Sequence, residues 1–235
     1  MDFIDDVSFI LEKAKQVIPD SKSFSKLEKV AWKLTNMYEK GLVKSNHSVM
    51  ELVLACHLIK KGYNVDVEYD FGGGLICDIY AERDGESLAV EVETGFVPPE
   101  NSKDPVAYRA AREISKVVRY SRHVDFFALA TPPYHILQLP DIFFLPPGKR
   151  GYWGLKAIKN FLDKYYKRPP IEVDELIAAK LNYVYVVVVD ELLVLEYKAG
   201  EYYMEYLEKP RRELGRYFKG EPFLPLYNID LSSRE

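Results

Sequence analysis

Three carboxylate residues, Asp78, Glu91 and Glu93, lie in two short alternating segments that are separated by an Arg-Asp-Gly-Glu turn. An Asp-Gly pair between two alternating segments is a strong indication of a β-hairpin. If Asp84 and Gly85 form its loop, Asp78 lies directly opposite Glu91 on the neighbouring strand. Glu93 shares that face, because successive side chains of a strand alternate between its two sides.

Like charges that are directly opposed destabilise a hairpin unless something compensates them. A divalent cation would do so, and hard ions such as Mg²⁺ or Mn²⁺ take carboxylate oxygens as ligands. We therefore predict a metal site whose ligands are Asp78, Glu91 and Glu93. The alternative is an exposed face whose carboxylates are only hydrated. The other face of the hairpin is predicted to be core, and its residues are Cys77, Ile79, Ala81, Leu88, Val90 and Val92.

A further carboxylate, Glu51, lies in a predicted helix over about 47–61. On a helical wheel it shares its side with Ala55 and Leu58, so its carboxylate is predicted to face inward. A second interpretation stays open, because Ser48 and Glu51 have the spacing of a capping box, in which the glutamate bonds to backbone donors at the helix start.

The predicted elements that must position these carboxylates follow the order α-β-β-β-α-β. They are a helix at about 47–61, strands at 63–69, 75–82 and 87–93, a helix at 104–121 and a buried strand at 124–130. This order predicts an α/β fold, a mixed β-sheet flanked by helices on each face.

Two further regions flank this core, so that we expect an arm at 1–45, a core at 46–135 and an extension at 136–235. The arm is predicted to be helical, with helices at 2–17 and 24–43. The extension is predicted to be α+β and to pack on the core or at a dimer interface. Its predicted elements are helices at 151–167 and 173–181, a hairpin turning at Asp190-Glu191, and a third strand after Ala199-Gly200.

At the acidic residues the sequence resembles the PD-(D/E)xK, or restriction-endonuclease-like, nuclease superfamily. The acidic residue of its second strand corresponds to Asp78, and its (D/E)-x-K motif corresponds to Glu91-Val92-Glu93, an E-x-E variant. The resemblance covers about 46–131 and implies the αβββαβ core. It also implies that Asp78, Glu91, Glu93 and Glu51 are catalytic, and that bound Mg²⁺ or Mn²⁺ assists hydrolysis of DNA. Glu93 stands where the lysine is expected, and would be a ligand, a general base or a mark of lost activity.

Basic residues follow one side of the predicted 104–121 helix, which comes directly after the motif. We expect this stripe to face away from the core and to contact phosphates, with Arg109 or Arg112 approaching in place of the missing lysine. A merely solvated charged face is the alternative. The stripe consists of Arg109, Arg112, Lys116 and Arg119. A second basic cluster near the C-terminus consists of Lys209, Arg211, Arg212, Arg216 and Lys219.

Other chemistry is not indicated by the composition. The four histidines, at positions 47, 57, 123 and 135, lack metal-ligand spacing and are interpreted as structural. Cys56 and Cys77 are interpreted as reduced core residues. The chain contains no P-loop and no G-x-G-x-x-G, so no nucleotide cofactor is expected. A formal net charge of −4 argues against bulk electrostatic coating of nucleic acid.

The acidic residues and the resemblance together predict a metal-dependent nuclease-like protein. It would be a deoxyribonuclease that acts on DNA as an endonuclease and resembles resolvases. The alternative is a nuclease-fold protein without catalysis that works as a nucleic-acid-binding or protein-interaction module. No apolar run approaches the length of a membrane span, and the first residues are acidic, so we expect a cytoplasmic protein, in the host cytoplasm if it is viral. Few glutamines and many charged residues suit a thermophile of archaeal or viral origin, and a homodimer would suit duplex cleavage.

Overall fold

A computed structural model describes residues 3–18 and 20–215 of the chain. It contains one six-stranded mixed sheet, in which the strands lie in the same order in space as along the chain. The strands are β1 (Asn64–Asp70), β2 (Ile76–Arg83), β3 (Glu86–Val92), β4 (Phe126–Thr131), β5 (Tyr183–Val188) and β6 (Leu193–Lys198). The predicted α/β class, with a mixed sheet flanked by helices, is confirmed.

The helices cover both faces of this sheet. They are α1 (Phe3–Val17), α2 (Ser21–Glu39), α3 (Ser45–Lys60), α4 (Pro105–Tyr120), α5 (Tyr152–Leu162), α6 (Val173–Ala178), α7 (Ala199–Tyr202) and α8 (Lys209–Gly215). α3 lies on one face, with α1 and α2 packed on its outer side. α4, α5 and α6 belong to the core on the other face. The predicted order α-β-β-β-α-β therefore holds from α3 to β4.

The turn between β2 and β3 has the predicted form. Asp84 and Gly85 both take positive φ angles, 55° and 84°. Such angles match the right-handed twist of a tight hairpin, and this explains the Asp-Gly pair. Ile79 pairs with Val90 and Tyr80 with Ala89, which is the predicted register.

The strand alternation breaks at Asp78. Ile79 belongs to the core beneath α3, whereas Cys77 belongs to the core beneath α4. The prediction that Cys77 shares a face with Ile79 is therefore wrong. The break lies at a local distortion, because Glu68, the corresponding position on β1, has a φ of +47° and neither Glu68 nor Asp78 belongs to the paired ladder. Cys77 and Cys56 are nevertheless buried and free, as expected.

Beyond β4 the chain adds two strands to the same sheet. β5 pairs parallel to β4, and β6 pairs antiparallel to β5. The turn between them includes Asp190 and Glu191, as predicted. The expected third strand after Gly200 is wrong, because α7 begins at Ala199 and continues through a π-helical segment, Tyr203–Glu208, into α8. The buried Tyr202 ring stacks on Tyr206 and anchors this helical run to the core.

No helix among the described residues is long and apolar enough to cross a membrane. The predicted C-terminal basic cluster falls partly beyond the described residues, where Arg216 and Lys219 lie. Its described members pair with carboxylates of the same protein, since Arg211 donates to Asp141 and Arg212 donates to Glu208. Lys209 likewise lies 3.4 Å from a carboxylate oxygen of Glu205.

Candidate metal centre

The predicted acidic residues meet where β2 and β3 stop pairing through their backbones. The last backbone pair towards this end is Ile79 with Val90. Beyond it, side chains replace the ladder. The Val92 N–H donates to Asp78 Oδ2 at 2.6 Å, and the Asp78 N–H donates to Glu91 Oε1 at 3.1 Å. The carboxylates therefore close a gap between the two strands.

Asp78 reaches groups from both faces of the sheet, because it lies at the break in alternation. Its Oδ2 is 3.6 Å from His47 Nε2 on α3 and 3.5 Å from Lys116 Nζ on α4. Glu91 and Glu93 project towards α4 alone. Both are almost fully buried, at most 3% exposed.

Lys116 lies at the centre of the acidic residues. Its Nζ is 2.9 Å from Glu91 Oε2 and 2.8 Å from Glu93 Oε1, and it also donates to the Val92 carbonyl oxygen. Burial opposes the charge of this amine, but Asp78, Glu91 and Glu93 together hold its pKa well above the ordinary value. Lys116 is therefore an ammonium group at neutral pH.

The basic stripe on α4 does not face away from the core, and this prediction is wrong. All four side chains are only partly exposed, because the sheet covers one side of α4 and the extension covers another. The expected contact of the stripe with phosphates stays a prediction. Arg112 donates to Glu93 at 3.1 Å, and the Arg119 guanidinium lies over the Tyr166 ring. Arg109 has a buried Nε atom without a hydrogen-bond partner among the described residues.

Glu51 faces inward, as the helical wheel predicts, and is fully buried. The capping-box interpretation is wrong, because α3 begins at Ser45 and its N-cap residue is Lys44. Glu51 therefore lies in the second turn, where backbone donors are already bonded within the helix. Its Oε1 is 3.1 Å from His47 Nδ1, and its Oε2 has no hydrogen-bond partner in the described part of the chain.

His47 joins this site, although its spacing from the other histidines predicts only a structural role. Its Nδ1 contacts Glu51, and its Nε2 donates to the Val92 carbonyl oxygen at 3.0 Å. Burial opposes a charge on the ring, but Asp78 and the hydrogen bond to Glu51 raise its pKa to about 9. The sequence carried one indication of this role, because residues four apart share a helix face and His47 is four residues before Glu51.

The other histidines lie elsewhere. His57 approaches Glu196, and His123 stacks on Phe71. His135 is buried and contacts Glu113 on α4 at 3.2 Å.

His47, Glu51 and Asp78 each offer a ligand atom, and the three atoms lie within 4.8 Å of one another. An imidazole with two carboxylates is a suitable donor set for a divalent transition metal such as Mn²⁺, whose binding would displace a proton from the His47 ring. The unpartnered Glu51 oxygen supports this fit, since a buried acceptor without a donor is costly. The predicted ligand set overlaps with this one only at Asp78, because Glu91 and Glu93 contact Lys116.

Burial raises the pKa values of the two innermost carboxyl groups. The pKa of Glu91 rises to about 8, mainly through burial and then through Asp78, with Lys116 opposing the shift. The pKa of Glu51 rises to about 7 through burial, which its hydrogen bond with His47 partly offsets. Strong perturbation of several acids at one place is typical of functional sites.

Comparison with known proteins adds one weak similarity. No protein-family model matches the chain, and no curated protein matches it. A solved structure of an XisH family protein from Nostoc punctiforme is similar to it, with 15% sequence identity over 64% of this chain and 98% of that one. The TM-score is 0.32, which is too low for that structure to bear on the site.

Proposed function

We propose that the protein is a metal-dependent nuclease that hydrolyses DNA phosphodiester bonds at the cluster between α3, α4 and the end of the β2–β3 hairpin. The observation that carries this proposal is the buried Lys116 ammonium among Asp78, Glu91 and Glu93. Asp78 is also one of the three candidate ligand residues, and the other two, His47 and Glu51, lie on α3. Such a cluster combines metal ligands with a fixed positive charge, which are the two requirements for stabilising a phosphate under attack.

In this proposal His47, Glu51 and Asp78 hold the cation. Mg²⁺ or Mn²⁺ bound there would act as a Lewis acid on a phosphoryl oxygen and would lower the pKa of a water molecule. Glu51 contributes the oxygen that lacks a partner in the protein alone. The prediction that Glu91 and Glu93 are ligands stays a prediction, and their contacts with Lys116 favour a different role for both.

Glu91 and Glu93 orient Lys116. Each places a carboxylate oxygen within 2.9 Å of its Nζ, and Arg112 holds Glu93 from the opposite direction. These carboxylates keep Lys116 charged, and its three N–H groups face Glu91, Glu93 and the Val92 carbonyl oxygen. By exchanging one of these contacts, Lys116 would donate a hydrogen bond to a phosphate oxygen or to the attacking water. It would not act as a general base.

Lys116 is our candidate for the lysine that the superfamily motif would have at the position of Glu93. The resemblance leaves the third position of the motif without its lysine, and the expected substitute was Arg109 or Arg112 on the following helix. Lys116 lies later in that helix, yet its Nζ is 2.8 Å from Glu93 Oε1. A lysine from α4 thus reaches the side chain that occupies the expected lysine position.

The same contacts favour a second candidate function. Lys116 already neutralises much of the acidic cluster in the metal-free protein, so the residues are compatible with a structural ionic network. The protein would then be a nuclease-fold module that binds nucleic acid or protein without cleaving. Metal binding distinguishes the two candidates, because a purely structural network needs no cation.

The decisive experiment combines Mn²⁺ titration by calorimetry with cleavage assays on single-stranded, duplex and branched DNA. Asp78→Asn and Glu51→Gln are expected to weaken Mn²⁺ binding at least tenfold and to abolish cleavage. Lys116→Arg should retain Mn²⁺ binding but lose most of the cleavage rate. Exposed Asp174 on α6 provides a matched control in Asp174→Asn, which should behave as the wild type. A wild-type protein that binds no Mn²⁺ and cleaves no substrate would refute the enzyme and leave the module.

A further inference from the structure

A cleft of about 650 Å³ opens beside the candidate metal centre. It lies between α1, α3 and the chain segments that leave the carboxyl ends of β3, β4 and β5. This volume is in the range of pockets that take small molecules or a single nucleotide, about 300–1,000 Å³. Its inner wall is apolar and includes Ile10, Val49, Met50 and Val187.

Two aromatic side chains lie at the cleft with much of their surface exposed. Tyr134, after β4, is 82% exposed, and Phe9 on α1 is 48% exposed. The Lys13 ammonium lies 4.5 Å from the centre of the Phe9 ring. Exposed aromatic rings next to a cation form the kind of surface on which unpaired bases stack.

The charges of the cleft restrict what it accepts. Asp6 and Asp190 are among its lining residues, and their negative charges would repel a phosphate group. They would accept hydrogen bonds from the exocyclic amino groups of a base. Asn46 adds both a donor and an acceptor. A flat, uncharged group with N–H donors therefore fits the lining, whereas the anionic backbone of DNA does not.

Several residues that line the cleft are sequence neighbours of residues at the metal centre. Asn46 and Met50, which line the cleft, immediately precede His47 and Glu51 on α3. Thr94, also in the lining, immediately follows Glu93. A DNA strand with a phosphate at the metal centre would hence have a neighbouring base within reach of the cleft.

We infer that this cleft binds an unpaired nucleobase adjacent to the scissile phosphate, so that the substrate carries a single-stranded segment or a displaced base. A paired base cannot enter, because it remains stacked inside the duplex. The inference rests on the proposed function, which places the scissile phosphate at the metal centre. Binding of the base itself requires no cation. The two ideas are therefore separable by experiment.

The test uses a single-stranded oligonucleotide with one 2-aminopurine, whose fluorescence reports the stacking environment of that base. It is measured without metal, and a duplex of the same sequence is the comparison. Tyr134→Ala should weaken single-strand binding about 5- to 150-fold and leave duplex binding unchanged. Tyr134→Phe should retain the binding, because the ring persists. Tyr152→Ala, at another exposed tyrosine, on α5, is the control and should have no effect.

Equal affinity of the wild type for single strand and duplex would overturn the inference, as would a Tyr134→Ala protein that binds the single strand normally. Failure of the proposed nuclease function has a different signature, namely absent Mn²⁺ binding and absent cleavage together with an intact 2-aminopurine response. Tyr134 is mostly exposed, so its truncation tests the cleft without threatening the fold.

Discussion

Replacing Lys116 with methionine tests whether this ammonium holds the acidic cluster together. The side chain is 14% exposed and contacts carboxylate oxygens of Glu91 and Glu93 at 2.9 and 2.8 Å. Asp78 Oδ2 lies 3.5 Å from the same nitrogen. Methionine keeps most of the length and the apolar stem of lysine, so that the change chiefly removes the charge and its hydrogen bonds.

The expected destabilisation of the metal-free protein is large. Removing one partner of a buried ion pair costs about 3–5 kcal/mol, because the remaining charge is left buried without compensation. Here two nearly inaccessible carboxylates lose the same partner. For a protein with a total unfolding free energy of about 5–15 kcal/mol, this loss is a substantial fraction.

The loss should depend on pH in a defined direction. Burial already raises the pKa of Glu91 to about 8 in the presence of Lys116, which opposes that rise. Without Lys116 the folded-state pKa of Glu91 would rise further. A carboxyl group with a raised folded-state pKa favours folding below its unfolded-state pKa, and this contribution is lost as the pH rises through the folded-state value. Below pH 8 Glu91 stays protonated in both folded proteins, so its part of the loss should be small at pH 6. It should grow above pH 8, where Glu91 ionises only beside Lys116.

Urea unfolding of both proteins at pH 6 and pH 9, in the presence of a chelator, measures this difference. Lys29 is exposed on α2, and Lys29→Met should change the unfolding free energy by no more than about 0.5 kcal/mol at either pH. A Lys116→Met protein as stable as the Lys29→Met control, or a loss that is equal at both pH values, would refute the reasoning.

Three further outcomes follow from the structure. Gly95→Ala should destabilise the protein by about 1–3 kcal/mol more than Gly73→Ala in urea unfolding, and equal losses would contradict this. Both glycines have positive φ, but only at Gly95 would the added Cβ approach His135 Nδ1, at 2.7 Å. Burial raises the pKa of Glu113 to about 7, so that ionised Glu113 destabilises the fold as the pH rises. The stability gained by Glu113→Gln should therefore grow from pH 5 to pH 8, and a gain that does not depend on pH would contradict this expectation. Glu51→Gln should not lower the stability of the metal-free protein, because it removes a buried carboxylate of which one oxygen lacks a partner. A loss above about 2 kcal/mol in thermal unfolding would argue against this explanation.

The sequence alone determines the hairpin and its register. Asp84 and Gly85 favour a two-residue turn with positive φ angles, and a turn of that length leaves one pairing for the strands that flank it. The order of elements from α3 to β4 follows from apolar periodicity. Like the turn, this periodicity is a local property of the chain. The inward orientation of Glu51 also follows, because a helix of regular geometry fixes which residues share a side.

Only the tertiary structure decides which cation and which histidine join the carboxylates. The basic stripe of α4 has the pattern of a solvated face, and its burial depends on the extension that packs on the other side of the helix. Lys116 reaches Glu91 and Glu93 only because α4 packs on the face of the sheet from which they project. His47 meets Asp78 across two elements that are far apart in sequence.

The break in strand alternation at Asp78 has the same origin. A period of two places Cys77 and Ile79 on one face, but the distorted backbone at Glu68 interrupts the ladder between β1 and β2. Asp78 thereby reaches His47 on one side of the sheet and Lys116 on the other. Local periodicity thus determined which carboxylates come together. Long-range packing decided which other groups these carboxylates contact, because contacts between distant segments depend on how whole helices and strands pack.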